Sequence, residues 1–349
     1  MKSKNKNYNT RIKRCRYCIM PEVKNVFEFD EHGVCPSCRS FKHMTAESSG
    51  PAFDDKSPDE KMAIFKRKVA KLRSKNSPYD CAVAVSGGKD SIMTLYIAKK
   101  ILGLNPLAIF IDNGFALDQM YENIKNATDI LEIDAVLRKT HSMKRLFRLL
   151  LTSGKNIYYC RVCHAFLDLL VNQVCSQYNI RLVLGGYTKG QQYIINKELF
   201  RIYDESDRNT IEVIKHDPEF GEFVELFRNQ SAYFYKNYGQ IVHMTPFKYV
   251  EWNEDQILDT LYKELDFRLP ERSWPDKSSN CTFNYVAQLL VMKQFGFAQH
   301  ESELSELVRQ KEMTRERALE IIETPIETAD LENPLKKLHL TCDAIGITD

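Results

Sequence analysis

The chain has no stretch of about 18 consecutive apolar residues, so a membrane-spanning helix is not expected. Its opening, MKSKNKNYNTRIKR, holds six Lys or Arg, no acid and no apolar segment behind it. A secretory signal is therefore not expected, and the expected compartment is the cytoplasm. Neither sign of charge is in excess: a net charge of +2 over 349 residues gives no general argument for a nucleic-acid partner. The basic opening reads as a solvated end, with a phosphate-tracking arm as the alternative. No internal repeat and no low-complexity tract appears. A disulfide framework is also not expected, because the ten cysteines lack an export context and several fall into C-x-x-C pairs, which point to metal or redox use.

What is present is enough apolar residue, 43%, to bury a substantial core, in one large domain with an appendage or in two domains. Residues 1–45 read as a small metal-stapled module. Residues 46–78 read as a Ser/Pro/Gly/Asp-rich linker and a Lys-rich helix. From residue 79 strand-like and helix-like runs alternate: DCAVAVS, a helix over Ile92–Ile101, PLAIFIDNG, IDAVLRKT, a helix over His164–Tyr178, IRLVLGGYTKG and QIVHMTPF. The fold class expected for 79–265 is α/β, a parallel sheet covered by helices, with a helical insertion at about 198–238. Residues 266–349 read as a helical C-terminal region.

The first strand runs straight into Ser86-Gly87-Gly88-Lys89-Asp90-Ser91 and then a helix. Backbone N–H groups at such a helix start make an anion site. Gly87 and Gly88 let a phosphate approach the backbone, and Ser86, Ser91 and Lys89 add donors suited to pyrophosphate oxygens. Lys89 is expected to act on a bound polyanion and not in the core. The spacing is not that of the Walker loop, which needs four residues between its first glycine and Gly-Lys.

In this context the six residues resemble the PP-loop of the ATP pyrophosphatase superfamily, whose members split ATP into AMP and pyrophosphate. The resemblance spans about Tyr79 to Leu265. It implies ATP as substrate, Lys89 and the loop amides on the phosphates, and Asp90 near Mg²⁺ or pyrophosphate. It also implies Asp112, in Ile111-Asp112-Asn113-Gly114, near the nucleoside, with a turn cap as the alternative, and Gly185-Gly186 at the same crevice. Ligands of open α/β sheets bind beyond the carboxyl ends of the strands, so the three stretches would share one crevice.

Cys15-x-x-Cys18, sixteen residues and Cys35-x-x-Cys38 have the spacing of a tetrahedral four-cysteine Zn²⁺ site, structural because its shell is closed. A pair of redox dithiols is the alternative. The stretches CRYCIMPE…FEFDEHGVCPSCR and KQFGFAQHESELSELVRQKEMTRERALEII are similar to the two ends of the N-acetyl sugar amidotransferases, PP-loop enzymes of surface-polysaccharide assembly. A second pair, Cys160 and Cys163, stands at a helix start, which lowers thiol pKa and makes both candidate reactive or ligating thiolates. With Cys281 they resemble the three-cysteine set that holds a [4Fe-4S] cluster in PP-loop tRNA thiolation enzymes. Purely structural roles stay open for all three. Cys81, Cys175 and Cys342 read as core or incidental, and His164 as a ligand, an acid or a helix cap.

The reading that follows is an adenylating enzyme acting on an N-acetylated sugar. Ammonia would come from a separate glutaminase subunit, with no membrane partner. The alternative is sulfur transfer to tRNA or a small molecule through Cys160, Cys163 and Cys281. A nucleotide-binding scaffold without chemistry is the third reading.

Overall fold

The computed structural model describes residues 12–47, 56–188, 191, 197–275, 279–297 and 299–347. The basic opening up to Arg11 and, within the linker, residues 48–55 lie outside the described residues. Short antiparallel bridges, Arg14 with Pro21 and Val23 with Phe27, shape a ribbon that leads into helix α1 (Pro36–Glu47). Helix α2 (Pro58–Leu72) starts on a capping box: Ser57 Oγ accepts from Glu60 N and Glu60 Oε2 from Ser57 N.

The core is one five-stranded sheet: β1 (Cys81–Ala84), β2 (Pro106–Asp112), β3 (Ala135–Lys139), β4 (Leu182–Gly185) and β5 (Val242–Met244). Its order is β3-β2-β1-β4-β5 and every pairing is parallel. Residues 81–83 are fully buried and split by alternation: Cys81 and Val83 join the large core on one face, Ala82 the smaller core on the other. Strands covered on both faces need such continuous apolar runs. Edge strand β3 instead alternates and leaves Leu137 exposed.

Helix α3 (Lys89–Tyr96) follows β1, starts at Lys89 with Gly88 as its N-cap, three residues before the expected start, and widens to a π turn over Ile97–Ile101. Helices α4 (Asp118–Leu131) and α5 (Ser142–Thr152) flank β3, and α6 (Tyr159–Gln177) precedes β4. The α6 helix starts five residues before the expected His164, so Cys160 and Cys163 sit in its first turns. Between β4 and β5 lie α7 (Lys197–Ile214), α8 (Val224–Arg228) and α9 (Gln230–Tyr238). After β5 come α10 (Glu254–Leu265), α11 (Asn284–Phe295), α12 (Gln299–Arg309), α13 (Arg315–Ile322) and α14 (Thr328–Lys336). No helix among the described residues is long and apolar enough to cross a membrane.

Strand order reverses between β1 and β4, the position at which open α/β sheets bind ligands. A cavity of about 320 Å³ lies there, within the roughly 300–1,000 Å³ of small-molecule sites.

Candidate active site

The floor of the cavity is the loop 86–91. Gly87 has φ +82°, and a Cβ there would lie 2.4 Å from Met120 O, so only glycine fits. The serines fold the loop on itself: Ser91 Oγ accepts from Ser86 N at 3.0 Å and donates to Gly88 O at 3.0 Å. Gly186 closes the other side, where a Cβ would meet the Asp90 backbone at 2.6 Å. The start of α3 thus presents its amides to the cavity against the end of β4, which makes the loop a ready anion site.

Lys89 is 8% exposed, between Glu254 at 3.4 Å and Asp90 at 3.7 Å. Burial pulls the ammonium down, but Asp90 and Glu254 more than offset it, so its pKa stands above the ordinary value. Burial raises the Asp90 carboxyl, against the pull of Lys89 and a 2.7 Å hydrogen bond from Trp252 Nε1. Asp112 takes the capping role. Its Oδ1 accepts from Gly114 N at 2.7 Å, Oδ2 faces Lys139 at 3.6 Å, and the residue is 1% exposed and does not line the cavity. The carboxylate thus caps the turn after β2, the alternative role that the sequence leaves open for it. Asn113, its neighbour, lines the cavity instead.

The wall opposite the loop is one face of α6. Cys160, Cys163, His164, Leu167, Asp168 and Val171 all line the cavity, at the three- and four-residue spacing of a helix face. Cys281 joins them through an antiparallel bridge to Ala116, and Asn113 Nδ2 lies 3.3 Å from Cys163 Sγ and 4.0 Å from Cys281 Sγ. Burial pushes Cys160 up to about 12 and Cys281 up to about 11, and raises Cys163 as well. The expectation that the helix start lowers these pKa values is therefore corrected: no cation touches either α6 thiol among the described residues, and burial is the largest influence on both.

His164 and Asp168 make no hydrogen bond or ion pair among the described residues. Both open into the cavity, where His164 is exposed and Asp168 half-buried. Burial lowers the His164 pKa and raises Asp168 to about 7. Two free proton acceptors one helical turn apart, with pKa values at or below neutral, suit general-base work. The other cavity histidine, His300, is committed: Nε2 lies 3.3 Å from Asn284 Nδ2 and Nδ1 3.6 Å from Glu303 Oε2.

The C-terminal region reaches the loop directly. Asn280 Nδ2 donates to Ser86 Oγ at 2.8 Å, and Asn284, His300 and Glu303 line the cavity. None of these, nor Asp168, Trp252 and Glu254, emerges from the sequence as a site residue. The four-residue step from His164 to Asp168 on the helix of the second C-x-x-C pair was the available signal.

Away from the cavity, Cys15, Cys18, Cys35 and Cys38 are buried with their sulfurs all within 4.8 Å of one another. Cys15 and Cys38 stand 3.9 Å apart, Cys18 and Cys35 3.6 Å. A tetrahedral ion with Zn–S bonds of about 2.3 Å needs sulfurs about 3.8 Å apart, so this donor set fits one.

Residues 279–349 match the family model of the C-terminal domain of WbpG-like LPS biosynthesis proteins. An uncharacterized protein of Methanocaldococcus jannaschii is 21% identical over 328 residues, 94% of this chain and 99% of that protein. Among solved structures, the U34-tRNA thiolase NcsA from Methanococcus maripaludis, with its [4Fe-4S] cluster, aligns over 95% of this chain and 90% of its own. Its identity is 14% and its TM-score 0.37. The NH3-dependent NAD synthetase of Campylobacter jejuni, in complex with nitrate, aligns over 62% of this chain and 97% of its own, at 12% identity and a TM-score of 0.33. At these scores neither likeness bears on the chain's chemistry. A five-stranded parallel α/β core is joined in this chain to a C-terminal region that matches the WbpG-like LPS-biosynthesis domain.

Proposed function

We propose that this chain is an adenylating enzyme that replaces the amide oxygen of an N-acetylated sugar with nitrogen, forming an acetamidino group for a surface glycan. One observation carries the reading. The region that matches the LPS-biosynthesis domain supplies Asn280, Asn284, His300 and Glu303 to the same cavity whose floor is the phosphate loop.

ATP, with Mg²⁺ as its counter-ion, lays its phosphates on the amides and hydroxyls of Ser86 to Ser91, with Asp90 beside them. The sugar's amide oxygen attacks the α-phosphorus, and the bond to pyrophosphate breaks. Lys89 and the start of α3 stabilise the charge that develops on the departing group, where fixed donors contribute most. Ammonia from a separate glutaminase subunit then attacks the adenylated carbon. A C–N bond forms, the C–O bond breaks with its electron pair leaving on AMP, and the proton released by nitrogen passes to Asp168 or His164. Zn²⁺ on Cys15, Cys18, Cys35 and Cys38 supplies structure and takes no part in the reaction.

The convergence of Cys160, Cys163 and Cys281 on this cavity favours a second reading, sulfur transfer to tRNA or a small molecule. Those three residues would then hold a [4Fe-4S] cluster, whose chemistry is the delivery of sulfide. The test is the full chain with ATP, Mg²⁺ and a panel of N-acetylated sugars, with ammonium in one arm and sulfide in another, read by AMP formation and product mass. Nitrogen exchange gives a product lighter than the substrate, and sulfur exchange a heavier one. AMP formation indifferent to every N-acetylated sugar would remove the first reading.

A further inference from the structure

Helix α12 runs between the two cysteine sets and is tied to both. On the ribbon side, Arg309 Nη1 lies 3.7 Å from Cys18 Sγ and Arg309 Nε 2.7 Å from Glu306 Oε2. Ser305 Oγ accepts from Ile19 N at 3.3 Å, and Arg14 Nη2 reaches Glu301 at 3.5 Å. Just past the helix, Arg315 donates to Cys18 O at 3.0 Å and Cys15 O at 3.2 Å. On the cavity side the same helix presents His300 and Glu303. Asn284, which contacts His300, accepts from Cys160 Sγ at 3.5 Å.

These anchors are buried: Arg309 is 9% exposed, Glu306 7%, Ser305 0% and Glu301 1%. Burying so many polar groups on one short helix is unfavourable unless each has a partner. Four thiolates around a divalent ion carry two net negative charges, and Arg309 at Cys18 Sγ and Arg315 at the Cys15 and Cys18 carbonyls converge on that centre. The bound metal therefore completes the charge balance that holds α12, and α12 holds one wall of the cavity.

We propose that metal bound at Cys15, Cys18, Cys35 and Cys38 sets the position of the cavity wall, with Arg309 as the positioning residue that couples Cys18 to His300 and Glu303. The inference rests on the four-thiolate metal site and stands whether the cavity inserts nitrogen or sulfur.

The chain has two tryptophans, and Trp274 sits edge-on to His300 at 5.7 Å, so a Trp252→Phe background makes Trp274 emission a reporter of this wall that needs no substrate. Removing zinc from the full chain with a chelator should shift Trp274 emission, and adding zinc back should reverse the shift. Arg309→Met should give the same shift while zinc stays at one per chain, and Arg309→Lys should recover at least half of it. Unchanged Trp274 emission on zinc loss overturns the proposal, as does unshifted emission from zinc-loaded Arg309→Met in the same background. Because emission is read without acceptor or ammonia, failure of the nitrogen-transfer reading leaves this test intact.

Discussion

The chain uses the C-x-x-C spacing twice, in the ribbon and at the start of α6, and the two pairs meet opposite surroundings. In the ribbon the cysteine sulfurs have, among the described residues, polar neighbours that are donors suited to thiolate. Cys35 N donates to Cys15 Sγ at 3.3 Å, Cys38 N to Cys35 Sγ at 3.4 Å, and Arg309 approaches Cys18. Four sulfurs face one another and leave no open position. On α6 the same spacing places Cys160 and Cys163 on one helix face, beside a cavity, with side-chain amides as neighbours and thiol pKa values raised by burial. Spacing sets which sulfurs can meet, whereas surrounding donors and openness decide whether they hold a metal or meet a substrate.

The largest effect expected from this comparison is in the ribbon. Cys35→Ser removes one of four ligands from a module with little core of its own, so metal is lost and Tm falls by roughly 10 °C or more. Full metal retention with an unchanged Tm would show that the closed site is not a staple. Lys89→Ala comes next: AMP and pyrophosphate formation should fall about 100- to 1,000-fold, the usual cost of removing one developing-charge donor. Its fold should suffer too, contrary to the expectation that Lys89 stays out of the core. Lys89 is buried, and its loss leaves Asp90 and Glu254 facing each other without a cation. Wild-type Tm in a variant without turnover would confine Lys89 to the phosphates.

Asp168→Asn separates stability from activity on the open side. Burial raises the folded pKa of Asp168 to about 7, above the roughly 3.9 of an unfolded aspartate. Between those values the folded state keeps a proton that the unfolded state has lost, so wild-type stability falls as pH rises from about 4 through 7. The asparagine variant has no such dependence at this position. Its Tm should match wild type near pH 4 and exceed it above pH 7, while AMP formation at pH 7 to 8 falls at least about tenfold with loss of the general base. Equal turnover, or a Tm gap that does not widen with pH, would take proton transfer away from Asp168.

How far the site is legible in sequence follows the distance along the chain over which each contact forms. The strand, the loop 86–91 and α3 are one continuous stretch, and the backbone chemistry of that stretch alone makes an anion site. The ribbon is legible because its four cysteines lie within 24 residues. Asn280 on Ser86, Trp252 on Asp90 and Glu254 on Lys89 are separated from their partners by more than 160 residues, and no local pattern marks them. Asp112 is ambiguous in the sequence for the opposite reason. A carboxylate at a strand end serves a turn or a ligand equally well, and only the fold shows Gly114 N already using it.

The smallest effect is expected from the pair that resembles the ribbon most in sequence. In a Cys160→Ser, Cys163→Ser variant the new hydroxyl at position 160 can still donate to Asn284 Oδ1, and the one at position 163 can still accept from Asn113 Nδ2, so both cavity contacts survive. If the reaction inserts nitrogen, neither thiol is consumed, and ammonia-dependent AMP formation should stay within about threefold of wild type with a Tm change of a few degrees. Sulfur transfer predicts the reverse: anaerobically purified wild type would contain iron and a brown chromophore, and loss of Cys160, Cys163 or Cys281 would remove chromophore and product together. Iron and zinc per chain, measured in anaerobic preparations of wild type and of this variant, separate the cases: iron lost with Cys160 and Cys163 belongs to the cavity set, and iron that stays belongs to the four-cysteine site.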